Sequence, residues 1–118
     1  MEPIDNLRHL VYNSGVAHPD LDRLTHYIWA AGLHTGDWQS TLQAISAREQ
    51  ETFIGTYDST ADYTEQLAQD LYGYEINSLP TWIRNNIDYA QAFDRELRHD
   101  LFDFPTFDNS QTWIWHAH

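Results

Sequence analysis

The sequence predicts an α+β, helix-dominated fold, with a helical subdomain over residues 1–50 and an acidic α+β subdomain over 51–118. Three observations carry that expectation. Apolar residues recur at helical spacing through the first fifty positions. Two β-branched and aromatic runs, at 52–57 and 112–116, read as strands. No heptad pattern, internal repeat or low-complexity stretch is present, and 118 residues suit one domain or two very small ones sharing a core.

Residues 4–14 read as the first helix, with Ile4, Leu7 and Val11 on one side and Ser14-Gly15 as its C-cap. Asp20 is placed to cap a second helix, whose Leu21, Leu24, Ile28 and Ala31 form one buried face, ended at Ala31-Gly32. Asp37 opens a third short helix with Trp38, Leu42 and Ile45 on one side, which completes a three-helix unit. The run from Thr52 to Tyr57 follows as the first strand. Asp58 or Ser59 then caps a helix over 60–72 that Gly73 closes. Tyr63, Leu67 and Leu71 form its buried edge, and Asp62, Glu65, Gln66 and Gln69 share the opposite face. Ser78 and Pro80 mark a further helix start ahead of Trp82, Ile83 and Ile87. A last helix is expected over 89–102 with Ala90, Phe93, Leu97 and Leu101 inward, broken by Phe104-Pro105. The run 112–116 closes the chain as a strand paired with 53–57, with Trp113 and Trp115 on one side. The second unit thus holds two or three short antiparallel strands.

Charge is the strongest functional signal. The chain has 18 Asp and Glu against 6 Arg and no Lys, a net charge of -12. A small domain needs a net charge of only about 2–8 for solubility, and charge of one sign beyond that destabilises the compact state. A surface this negative complements a strongly positive one, and the commonest of these is a nucleic-acid-binding groove. Duplex DNA carries about one charge per 1.7 Å of axis, so a charge of -12 matches about 20 Å of helix, or roughly 6 base pairs. The charge points to imitation of DNA; the plainer alternative is an acidic domain that is merely soluble. The distribution is uneven. Residues 1–50 hold six acids against three Arg, and residues 51–118 hold twelve acids against three Arg, for -3 and -9. A hydrophobic content of 42% with 5 Trp, 7 Tyr and 5 Phe excludes an acidic disordered tail. The absence of Cys excludes disulfides and thiolate metal sites. No stretch is long and apolar enough to span a membrane, an anionic leaflet would repel the chain, and Met1-Glu2-Pro3 is unlike the start of a signal peptide. The expected location is the cytoplasm, and direct binding to nucleic acid is opposed by the charge.

The candidate partner-binding acids are Asp58, Asp62, Glu65, Asp70, Glu75, Asp88, Asp94, Glu96, Asp100 and Asp103. On the expected last helix, Glu96, Asp100 and Asp103 fall at i, i+4 and i+7, which lines three carboxylates along one face. Such spacing is unfavourable for an isolated helix, both by like-charge repulsion and against the helix dipole. Asp94–Arg98 at i, i+4 relieves part of it. Glu96 and Asp100 would then stand about 6 Å apart along the axis, of the order of neighbouring phosphates. Seven histidines (His9, His18, His26, His34, His99, His116 and His118) invite a metal-dependent enzyme reading, but none has a recognised ligand spacing. No catalytic residue, metal or cofactor is assigned, and the chain is read as non-enzymatic. Tyr27 and Trp29, beside the core face of their helix, are candidates for a partner surface.

The second half also resembles the C-terminal region of the ArdA antirestriction proteins, over roughly residues 52–118. The similarity is carried by Phe53-Ile54-Gly55-Thr56-Tyr57-Asp58-Ser59, the acidic helix through Asp62 and Glu65, and Leu79-Pro80-Thr81-Trp82-Ile83. It continues through Ile87-Asp88-Tyr89 to Phe93, Arg95, Glu96 and Leu97. Residues 1–50 look more loosely like the middle domain of that family. The resemblance implies an elongated acidic DNA mimic of mobile genetic elements that occupies the positively charged DNA-binding groove of a Type I restriction–modification enzyme. It also implies a homodimer formed through the C-terminal region. Three departures stand beside it: the family's N-terminal domain has no counterpart, the gap from Asp88 to Phe93 is one residue longer, and Asn86 stands where the family tends to have Tyr. Other positive DNA grooves, such as those of CRISPR effectors, are open to the same physics, and a general acidic interaction module is a further alternative.

Overall fold

α1 (Pro3–Asn13) opens a computed structural model that describes residues 3–117; Met1 and Glu2, the start read as unlike a signal sequence, and His118 lie outside the described residues. α1 buries Leu7 and Val11. Gly15 follows at φ 76°, the left-handed geometry common at helix C-termini and free of strain for glycine. α2 (Leu21–Ala30) is capped as expected, the Asp20 carboxylate accepting the Arg23 N–H at 3.1 Å. Leu24 and Ile28 pack with Leu7, Val11, Trp38 and Leu42 in one core cluster. The third helix starts later than expected: short 3-10 turns at Leu33–Thr35 and Gln39–Thr41 precede α3 (Leu42–Thr52). Trp38 and Leu42 are buried, whereas the Asp37 carboxylate holds the turn by accepting from Ser40 Oγ at 2.9 Å.

β1 (Phe53–Tyr57), β2 (Leu101–Pro105) and β3 (Thr112–His116) form an antiparallel sheet in the order β1-β3-β2. The pairing of β3 with β1 is the one the sequence predicts, with Thr56 opposite Trp113 and a bulge between Phe53 and Gly55. Side chains alternate along a strand, and on the central β3 this alternation organises the molecule. Trp113 and Trp115 point to one face, where they pack with Tyr27 of α2 and with Ile45, Phe53 and Phe102. Ile114 points to the other and joins Tyr63, Phe93 and Leu101. The sheet is a wall between the N-terminal helices and the acidic second half. The architecture is α+β and helix-dominated.

α4 (Thr60–Asn77) is capped by Ser59, whose Oγ accepts the Asp62 N–H at 3.1 Å. Gly73 does not end it. The helix kinks at Tyr72 (φ -135°, ψ 28°) and runs on to Asn77, ahead of Ser78-Leu79-Pro80. Leu71, expected on the buried edge, is 63% exposed, because Leu67 is the last residue of α4 to reach the core cluster beneath the sheet. α5 (Thr81–Arg84) and α6 (Tyr89–Ala92) are single turns, and α6 passes into a π-helical turn at Phe93–Leu97.

The expected helix over 89–102 is the largest correction. Leu97 and Leu101 satisfy helical spacing, but Leu101-Phe102-Asp103-Phe104 also alternates. β3 supplies a complete ladder for it, from Leu101 opposite His116 to Pro105 opposite Thr112. Pairing against a buried strand outweighs helix preferences worth only tenths of a kcal/mol per residue. Glu96, Asp100 and Asp103 therefore do not line one helical face, and the regular helix from which the Glu96–Asp100 spacing was inferred is absent. Glu96 sits in the π-helical turn, Asp100 in the following turn, and Asp103 on β2.

Candidate functional site

Acids in the two halves of the chain do different work. In the first half most are tied into the fold. Asp22 accepts from Arg8 Nε at 3.0 Å and from the Tyr12 hydroxyl at 2.5 Å, and Asp20 caps α2. Glu49 is fully buried. Its carboxylate accepts from Arg23 Nε at 2.6 Å and Nη2 at 2.9 Å, from His18 Nε2 at 2.6 Å and from Trp115 Nε1 at 2.7 Å. His18 Nδ1 accepts the Asp20 N–H at 2.9 Å, which leaves the ring proton on Nε2, aimed at Glu49. Burial alone pushes a carboxylate pKa up. Here the hydrogen bonds from Arg23, Trp115 and His18 outweigh it and hold Glu49 below its ordinary value. This network joins the His18 loop, α2, α3 and β3. Sequence reasoning missed it, although one signal exists: Glu49 lies seven residues after the buried Leu42, on the same inward face of α3.

The second half has a different pattern. Of the twelve acids after residue 50, all but the half-buried Asp103 are exposed. Asp62 and Glu65 stand on the first turns of α4, with Asp70 and Glu75 further along it. At 100° per residue Asp62, Glu65 and Asp70 fall within one arc of about 140°, and Asp62 and Asp70 are about 12 Å apart along the axis. Asp58 precedes α4 and accepts from Gln111 Nε2 at 3.4 Å. Asp88 caps α6 by accepting the Gln91 N–H at 2.9 Å. Asp94 and Asp103 both hold Arg98, at 2.7 and 2.6 Å, so the expected Asp94–Arg98 pair is present and Asp103 shares it. Asp108 accepts from Thr106, from the Ser110 hydroxyl and from the Ser110 N–H, and these bonds lower its pKa to about 2. Asp62, Glu65, Asp70, Glu75 and Glu96 are exposed at the surface.

The resemblance motif is divided by the fold. Phe93 is 0% exposed, and Leu97 packs against the same cluster beneath the sheet, so these two are packing residues. Leu79, Ile83 and Tyr89 are half-buried, Pro80 and Arg95 are exposed, and Trp82 is 73% exposed. Tyr27 is buried and not available to a partner, whereas Trp29 is half-buried. Tyr27 is 2% exposed against Trp115, and Trp29 stacks on His34 with centroids 4.2 Å apart. Their positions beside the core face of α2 are taken up by the sheet and the turn after the helix. His26 is buried and donates from Nδ1 to the Asp22 carbonyl at 2.8 Å, with Phe104, Phe107 and Trp113 edge-on to its ring. Among the described residues no group of three or more His, Asp or Glu is arranged to hold a metal ion, and no helix is long and apolar enough to cross a membrane.

The molecule is elongated, 54 × 28 × 23 Å, with a radius of gyration of 16.8 Å. A compact domain of this length has about 13–14 Å. Its long dimension of 54 Å equals about 16 base pairs, while its net charge of -12 equals that of about 6. It is as long as a substantial DNA site and less densely charged than duplex. Comparison with family models, with curated proteins and with solved structures finds no match to this chain.

Proposed function

We propose that the chain is a non-enzymatic DNA mimic that occupies the positively charged DNA-binding groove of a defence enzyme, a Type I restriction–modification enzyme being the first candidate. The observation that carries this reading is the contrast between the halves. The first half ties its acids to Arg8, Arg23 and a helix cap, whereas the second exposes eleven of twelve against only three Arg. Exposed charge of one sign in such excess weakens the compact state. Its use is at an interface, where a cationic groove gains Coulomb energy and faster encounter from it. The motif resemblance over 52–118 selects the Type I enzymes among proteins with such grooves. Nothing in this mechanism needs a reacting atom: the chain blocks access, and incoming DNA escapes cleavage.

The test is competition. The chain should displace labelled duplex from a purified Type I enzyme, duplex should displace the chain in return, and cleavage of unmodified DNA should stop in proportion. A ternary complex of enzyme, duplex and chain would overturn the proposal.

A further inference from the structure

Leu71, Tyr72, Tyr74 and Trp82 are 63%, 59%, 85% and 73% exposed, and all lie between residues 71 and 82. No residue from 68 to 92 joins a core cluster. Leu71 and Tyr74 flank the kink of α4 at Tyr72. With roughly 150–250 Å² per aromatic side chain, these four together expose on the order of 500 Å² of largely apolar surface.

Two occupants compete for this surface, a second copy of the chain and the cationic partner, and charge separates them. Between residues 58 and 88 there are six acids (Asp58, Asp62, Glu65, Asp70, Glu75 and Asp88) against Arg84 alone, a net of -5. Two copies meeting here would set -5 against -5. A cationic partner receives the acids and the aromatics together. We propose that Leu71, Tyr74 and Trp82 anchor the chain on an apolar wall beside the DNA-binding groove of the same enzyme that the acids engage. This rests on the mimic reading. It gives the surface to the enzyme and not to the homodimer that the resemblance implies. Duplex DNA presents no outward aromatic side chains, so the anchor supplies affinity that DNA lacks and that salt does not screen, and it selects one DNA-binding protein among many.

The experiment measures the dissociation constant of the chain for a purified Type I enzyme between about 50 and 200 mM salt, for wild type, Tyr74→Ser, Trp82→Ser, the double variant and Trp82→Phe. The double variant should bind about tenfold or more weakly at every salt concentration, with the log–log salt slope unchanged and melting unaltered. The single Ser variants should each lose part of this, and Trp82→Phe should stay within a few-fold of wild type. A steep wild-type slope with a double variant that binds like wild type leaves the mimic standing and overturns the anchor. Wild-type sedimentation as a dimer that the double variant abolishes also overturns the anchor, by giving the surface to a second copy. No binding at any salt, or binding that salt leaves unchanged, overturns the mimic reading and the anchor together.

Discussion

Replacing Glu49 with Gln removes the only carboxylate in the network of Arg23, His18 and Trp115. The side chain is 0% exposed and accepts four hydrogen bonds. Glutamine keeps one acceptor oxygen and turns an NH₂ group toward a donor. Arg23, whose side chain is only 15% exposed, loses its counter-ion. Breaking a buried pair by removing one partner costs about 3–5 kcal/mol, a large share of the roughly 5–15 kcal/mol that holds a domain folded. At about 2.1 cal/mol/K per residue, 118 residues give an unfolding entropy near 0.25 kcal/mol/K, so the expected fall in melting temperature is about 12–20 °C. Circular dichroism melts at neutral pH measure it, with Glu51→Gln, two residues away and exposed, as a control that should not move. The pH dependence has a definite sign. A carboxylate whose folded pKa is lowered stabilises above its ordinary pKa, and that stability is lost as pH falls through the lowered value. Wild type should lose melting temperature below about pH 4.5, and the Gln variant should lose less over the same range. A Glu49→Gln protein that melts within two or three degrees of wild type would refute the assignment of a buried counter-ion.

Two further outcomes follow from the core. Burial lowers the pKa of His26, so its contribution is complete above about pH 6.5 and declines as pH falls through the lowered value; the resonance of its ring should titrate below the ordinary histidine range, and an ordinary titration would contradict its packing among Phe104, Phe107 and Trp113. Phe93→Ala removes a 0% exposed ring from beneath Ile114 and should cost about 3–5 kcal/mol in chemical unfolding, whereas Trp82→Ala, 73% exposed, should leave stability within about 0.5 kcal/mol.

Much of the fold was legible because local signals and tertiary needs coincide. Leu24 and Ile28 repeat at helical spacing and do pack together, and Trp113, Ile114 and Trp115 alternate because β3 has a buried face on each side. Where one pattern served two periods, the sequence was ambiguous. Leu97 and Leu101 fit a helix, Leu101 and Asp103 fit a strand, and only the presence of β3 decides between them. The boundary of α4 was misread for a related reason: Gly73 is a weak stop when the backbone kinks at Tyr72 and the helix continues to Asn77. For the candidate site, composition located the acids, since most charged side chains remain at the surface. It could not separate Glu49, an acid inside the fold, from Glu51 outside it. Nor did periodicity distinguish the buried Tyr63 from the exposed Leu71, both expected on the inward edge of one helix, because that depends on where the sheet stops covering α4.

The central claim is that distributed exposed charge recognises a cationic groove. Its most direct test is the affinity for a purified Type I enzyme when Asp62, Glu65, Asp70, Glu75 and Glu96, all exposed, are changed to Asn or Gln singly and together, with melting temperature alongside. Each single change should weaken binding modestly and lower the log–log salt slope by at most about one unit. The fivefold variant should bind severely more weakly with a flattened slope, while melting at the wild-type temperature or slightly above it as repulsion is relieved. If the fivefold variant binds as wild type does, or if one acid is all-or-none and the other four add nothing, distributed mimicry is contradicted.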